Sequence, residues 1–251
     1  MAALVFSGVA FAFGDALPLF HDVTFRLDPG RHGVVGENGG GKTTLLRLAA
    51  RQLAPDRGAV RIEPSDAVVA YCPQTVDTLA ADVCAFAELV SGSALALRDL
   101  LALAPPDLER WSTLSPGERR RWQLAAALHA APDVLLVDEP TNHLDPEARA
   151  RVVAALARFR GVALIVSHDR AFLDQATRST LRVHDGAVDL HALPFSQARA
   201  AWEQEARARE AARGVRKEAL AAADRALAEA RERRAQAEKM RSSGQRMKDR
   251  H

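Results

Sequence analysis

With 251 residues, 48% of them hydrophobic and 26% charged, the chain can bury a sizeable core, and its net charge of +2 by itself names no polyanionic partner. Two cysteines, Cys72 and Cys84, with eleven residues between them and no CxxC, exclude a disulfide framework and a zinc site and fit a reducing cytoplasm. No apolar run reaches membrane-spanning length, and the apolar opening from Met1 to Phe20, which has no basic n-region and carries Asp15, reads as a strand and hairpin, not a signal peptide.

In chain order, Leu4 to Phe11 and Val23 to Leu27 read as strands that lead into His32-Gly33-Val34-Val35. Ala59 to Ile62 and Ala67 to Tyr71 continue the sheet, so that an antiparallel edge is expected on a parallel core. Residues 75 to 113 are rich in Ala and Leu with helical spacing, broken at Ser91-Gly92-Ser93 and Pro105-Pro106, and form a small helical subdomain. Strand Val134 to Val137, helix Pro146 to Phe159, strand Val162 to Val166 and helix Arg170 to Asp174 then alternate as a parallel α/β core requires. From Ser196 to about Met240 the composition turns to Ala, Arg and Glu and predicts one long helix. Leu220 and Leu227 lie one heptad apart, and Gly214 costs that helix about 1 kcal/mol. The end, Arg241 to His251, is polar and offers no core.

Two motifs a hundred residues apart predict a nucleotide site. Gly36-Glu37-Asn38-Gly39-Gly40-Gly41-Lys42-Thr43-Thr44 follows a strand and opens the helix-patterned Leu45, Leu46 and Leu48, the setting in which glycine N–H groups close around phosphate oxygens. Lys42 is expected to reach the β- and γ-phosphates and Thr43 to place a hydroxyl on Mg²⁺. Asp138, which ends an apolar strand, orients that ion, and the next residue, Glu139, is the candidate general base.

Three further segments share the chain with that site. Leu114-Ser115-Pro116-Gly117-Glu118 precedes an Arg- and Ala-rich helix, Gln74 follows the strand-like Tyr71-Cys72, and His168 ends Ile165-Val166-Ser167. By these residues, in this order over roughly residues 4 to 190, the chain resembles the ATP-binding cassette family. The resemblance implies an α/β P-loop ATPase core with an antiparallel β subdomain and a small helical subdomain at about 75–130. It also implies a division into a nucleotide-binding domain, 1–193, and a basic helical linker, 194–251, the first half of a coiled hairpin. In its terms Gln74 contacts Mg²⁺ and the attacking water, His168 assists Glu139, and Ser115, Gly117 and the D-loop residue Asp145 serve a nucleotide held by a partner domain. Phe13 lies where an adenine-stacking aromatic sits, although Phe11 and Phe13 also alternate like one face of a strand. Ser115 to Glu118 is equally a capping box, which supplies the helix start that a signature motif needs, while Pro116 departs from the family's glycine and cannot donate.

Asn142-His143-Leu144-Asp145 after Asp138-Glu139-Pro140-Thr141 is similar to the ABC-F branch, as is Ser167-His168-Asp169-Arg170. That resemblance implies a cytoplasmic, membrane-free ATPase whose linker reaches the ribosome, its rRNA and the P-site tRNA, in translation or antibiotic protection. Charge agrees: residues 199 to 251 carry fifteen Lys and Arg against nine Asp and Glu, the rest nineteen against twenty-three. The same helix can also be simply a solvated charged helix. Only one set of motifs is present, so a second cassette, in tandem or as a homodimer, is expected to complete the site. The rival readings are the ATP-binding subunit of a membrane transporter and a regulatory module that binds ATP without turnover.

Overall fold

The computed structural model describes residues 2–14 and 16–248, with side chains as far as residue 222. The chain divides into two units, Met1–Ala198 and Arg199–His251.

Two sheets build the first unit. β1 (Ala3–Phe11) lies between β2 (Phe20–Leu27) and β4 (Arg57–Glu63), antiparallel to both. β3 (Gly30–Gly36), β5 (Val69–Cys72), β6 (Val134–Asp138), β7 (Val162–Val166), β8 (Ser179–His184) and β9 (Ala187–His191) form the second, in the order β5-β6-β7-β3-β8-β9. Its first five strands run parallel and β9 turns back antiparallel on β8. β6 and β7 are buried at every position, which is why both read as unbroken apolar runs without alternation. Helix α1 (Lys42–Ala49) packs on β3, β6 and β7 and also reaches β4, so Leu45, Leu46 and Leu48 join Phe6 and Phe25 of one sheet to Leu136, Leu164 and Val166 of the other in a single core.

The expectation that 59–62 and 67–71 continue one sheet is corrected here. β4 pairs with β1 while β5 pairs with β6, Val69 opposite Val134, so the chain leaves one sheet and enters the other between the two strands. The β8–β9 hairpin is a second departure from the sequence reading. Its turn is Asp185-Gly186, both at positive φ, the geometry a two-residue hairpin turn requires.

The helical region comprises α2 (Ala81–Glu88), α3 (Gly92–Leu101), a 3-10 segment (Pro105–Thr113) and α4 (Pro116–His129). The segments expected as breaks serve as starts: Ser91 caps α3 by accepting from Ala94 N, and Pro105 opens the 3-10 turns. Buried Arg98 donates to the carbonyls of Ala87 and Leu89, partners that the C-terminal end of α2 otherwise lacks. α5 (Pro146–Leu156) and α6 (Arg170–Ala176) follow β6 and β7.

α7 (Phe195–Lys248) extends past the expected end near Met240, and its backbone passes helically through Gly214. Arg199 and Arg207 pair with Glu203, and Arg209 with Glu205, at four-residue spacings that each add about 0.3–0.5 kcal/mol. Leu220 and Val215 are exposed, whereas Leu227, the other half of the expected heptad seam, has its side chain outside the described residues. Of the polar end, 249–251 also lie outside them.

Candidate functional site

Four parallel strands carry their polar ends to one rim of the sheet, where ligands bind in open α/β folds. The glycine loop leaves β3, Gln74 lies two residues past β5, Asp138 ends β6 and His168 lies two residues past β7. Together they enclose a cleft of about 460 Å³ lined by Asn38, Gly39, Gly41, Lys42, Thr43, Gln74, Asp138, Glu139, Val166 and His168.

The loop is shaped by its own backbone. Gly41 precedes α1 at φ 102°, and a Cβ there would come within 2.8 Å of the Phe20 ring, so only glycine fits. Gly36 ends β3, and Gly40 N donates to Glu37 O at 3.1 Å. Buried Lys42 closes the loop by donating from Nζ to the carbonyls of Gly36 (2.9 Å) and Glu37 (2.8 Å), which leaves one of its three N–H donors for a phosphate oxygen. Burial pulls its pKa down, against the pull of the Glu139 and Asp138 carboxylates. Thr44 is buried in the first turn of α1 and, like Gly36 and Gly40, does not line the cleft.

Thr43 Oγ1 donates to Asp138 Oδ2 at 2.7 Å, so a hydroxyl and a carboxylate from opposite walls already face one point. Glu139 sits just past the strand at φ 53° with its side chain buried. His168 N donates to its Oε2 at 3.3 Å; His168 Nε2 lies 3.1 Å from Oε1 but off the line of a hydrogen bond, so that buried oxygen has no hydrogen-bond partner. Burial raises the pKa of both carboxyls, opposed at Asp138 chiefly by the Thr43 hydroxyl and at Glu139 by the His168 ring. A buried hydroxyl pair, Thr141 Oγ1 and Ser167 Oγ at 2.9 Å, ties the two loops that carry Glu139 and His168.

The remaining sequence-predicted residues stand apart from this cleft. Ser115 is the exposed N-cap of α4 and forms a complete capping box with Glu118: its Oγ accepts from Glu118 N at 3.2 Å and Glu118 Oε2 accepts from Ser115 N at 2.8 Å. The Ser115 hydroxyl, which donates to Glu118 Oε2 at 2.7 Å, and then the Ser115 N–H hold the Glu118 carboxyl below its ordinary value. Gly117 is buried where a Cβ would lie 2.7 Å from His143 O, so α4 meets the 142–145 loop only because that side chain is missing. Exposed Asp145 caps α5 by accepting from Ala148 N at 2.7 Å. Phe13 lies past the end of β1, edge-on to Phe11 at 4.9 Å; at 52% exposed it is not the core residue that its alternation with Phe11 also allowed.

One residue of the site escaped the sequence reading. Arg120 of α4 is buried, and its guanidinium donates to the carbonyls of Asp138 (3.2 Å), Glu139 and Gln74. The signal was its helical phase, since Gly117, Arg120, Leu124 and Ala127 share one buried face, whereas three consecutive arginines read as a charged surface.

Among the described residues no three His, Cys, Asp or Glu side chains gather as a metal cage. The donor set fits Mg²⁺ instead, which takes one or two protein oxygens and fills its shell with water and phosphate: the Thr43–Asp138 pair and the partnerless Glu139 Oε1 border the same cleft. Cys72 and Cys84 are both free thiols, and burial pushes Cys72 up to about 12.

Comparison with known proteins places this geometry. Residues 20–142 match the family described as ABC transporter. The chain is 33% identical over 255 residues to the tylosin resistance ATP-binding protein TlrC of Streptomyces fradiae, covering 81% of this chain and 46% of that one. It is 42% identical over 167 residues to the ATP-binding protein Uup of Caulobacter vibrioides (64% and 27%). To the energy-dependent translational throttle protein EttA of Haemophilus influenzae it is 32% identical over 204 residues (74% and 35%). It thus spans less than half the length of each of these relatives. Among solved structures, the ATP binding subunit of an ABC transporter superposes with a TM-score of 0.62 at 24% identity, covering 76% of this chain and 90% of that one. A bacterial Atm1-family ABC exporter with ATP bound gives 0.65 at 21% identity, covering 76% and 39%. These two likenesses concern the fold alone. Residues 20–142 thus carry the domain of the ABC transporter family, and the relatives agree with the ABC-F cassette expected from the sequence.

Proposed function

We propose that this ATP-binding cassette is one half of a cytoplasmic ABC-F-type ATP clamp that acts on the ribosome, in translation or in protection from an antibiotic. Its hydrolytic part is carried by one observation: Glu139 Oε1, buried and without a hydrogen-bond partner, beside His168 and across the cleft from Lys42 and Thr43. A water there has a proton acceptor in Glu139, whose buried carboxylate sheds its solvation cost on accepting that proton. His168, exposed on its outer side and tied to Glu139 through its N–H, steadies the water against the γ-phosphate, and Gln74 flanks it from β5. Lys42 and the loop N–H groups hold the phosphates in line. Thr43 and Asp138, with Gln74 beside them, would hold Mg²⁺, which would supply charge neutralisation on the phosphate oxygens. The exposed Phe13 ring offers a stacking face for adenine.

The exposed α4 N-terminus, with Ser115 at its cap and the positive end of the helix dipole there, supports a role toward a nucleotide held by a second cassette, with Asp145 at the cap of α5 in the loop that Gly117 meets. A second copy of this chain or a tandem cassette supplies that partner, and closure on ATP followed by reopening on hydrolysis converts binding energy into movement. The ribosomal part rests on the basic excess of residues 199–251 and on relatives whose names speak of translation and tylosin resistance. Among the described residues no helix is long and apolar enough to cross a membrane.

The test is ATP-dependent co-sedimentation with ribosomes, using Glu139→Gln to hold ATP, with the chain beside a version extended through a second cassette. Binding by the extended version, weakening steeply as salt rises, is the expected result. Failure of both versions at low and moderate salt, with recovery in membranes, supports a transporter subunit.

A further inference from the structure

The three polar groups that face the phosphate cleft from β5 and β6 are held at the backbone by a single side chain. Arg120 lies one turn inside α4, whose cap is Ser115. Its guanidinium bridges the carbonyls of Gln74, Asp138 and Glu139, joining the C-terminal ends of two neighbouring parallel strands. These carbonyls need such a donor. Glu139 has left-handed backbone, which turns its carbonyl out of the sheet ladder, and Asn142 N at 3.4 Å is its other partner. A planar fork that donates in fixed directions can set the tilt of all three peptides at once, whereas an ammonium acts as a point charge. The peptide plane of Glu139 in turn fixes where its side chain points.

We infer that Arg120 is a positioning residue: it aims Glu139 and Gln74 at the water site and makes them move as one body with the α4 N-terminus. The inference rests on the hydrolytic reading above. It gives the cassette a direct link from the surface that would meet the partner's nucleotide to its own hydrolytic carboxylate. Docking of α4 is then felt at Glu139 without passing through α2 or α3.

The test is a double-mutant cycle on the full chain, measuring hydrolysis of ATP with the chain in excess, together with ATP affinity. Arg120→Met lowers turnover by about 10²-fold, the cost of misplacing a reacting group by an ångström, while KM for ATP stays unchanged. In the Glu139→Gln background the same substitution has far less effect, because Arg120 acts chiefly through Glu139. A merely structural role gives additive losses and lowers ATP affinity as well. Should Arg120→Met fail to fold, Arg120→Lys, which keeps the charge and loses the fork, reads the same cycle and shows the same non-additivity. Full turnover in the folded variant, or additive losses, overturns the positioning role while leaving the hydrolytic reading intact. A cassette that binds ATP and never hydrolyses it, whether alone or extended through a second cassette, removes both.

Discussion

The cleft at the strand ends and the α4 N-terminus differ in how their polar groups are satisfied, and the difference bears on the role proposed for each. In the cleft, Lys42 is engaged by its own loop, Thr43 by Asp138 across the cleft, and Glu139 by His168. Buried carboxyls with raised pKa and one partnerless oxygen show a surface that gains when a ligand arrives. At the α4 N-terminus Ser115 and Glu118 satisfy each other through the capping box, with Arg110 beside Glu118, and Ser115 is exposed. In the function proposed above, the first surface serves chemistry within this chain and the second meets a ligand that something else holds.

The largest expected effect is on turnover. Glu139→Gln removes the proton acceptor, so hydrolysis falls by about 10²–10⁴-fold with ATP affinity retained; unchanged hydrolysis takes Glu139 out of the role of base. The next concerns the joint between the two surfaces. Gly117→Ala puts a Cβ 2.7 Å from His143 O and is expected to cost about 1–3 kcal/mol in urea unfolding. If stability is unchanged, α4 and the 142–145 loop are not packed as described.

The smallest effect is on stability of the ATP-free chain, and it sharpens the contrast because it concerns strain in the cleft alone. Burial raises the Glu139 carboxyl above 4.5, so the folded chain holds that proton more tightly than the unfolded one. Stability therefore falls as pH rises through 4.5 toward the folded value, and the deficit is complete above it. Glu139→Gln is expected to raise the Tm at pH 8 by about 2–4 °C for each kcal/mol relieved, and by less near pH 4.5. Equal gains at both pH values contradict the sign.

What the sequence disclosed and what it hid follow from range. The glycine loop, the apolar run before Asp138-Glu139 and the Ser115 box are local patterns whose chemistry is written within a few residues, and the structure brings the first two together at one rim. The split into two sheets depends on which strand β1 takes as its second partner, a contact fifty residues away that no local alternation encodes. Asp185-Gly186 did carry its hairpin signal, flanked by Val183 and Val188, and was simply unread. Arg120 hid among Arg119 and Arg121, because only burial distinguishes the guanidinium that braces the site from those beside it.

The most direct test of the account is to mix two inactive forms of the chain. Lys42→Ala disables the cleft and Ser115→Arg blocks the α4 N-terminus, while each leaves the other surface intact. If the two surfaces belong to one composite site, neither variant hydrolyses ATP alone and the mixture recovers activity, since a pair of unlike chains holds one unspoiled cleft facing one unspoiled helix end. Full turnover by Ser115→Arg on its own, or a silent mixture when the unmodified chain is active, contradicts it.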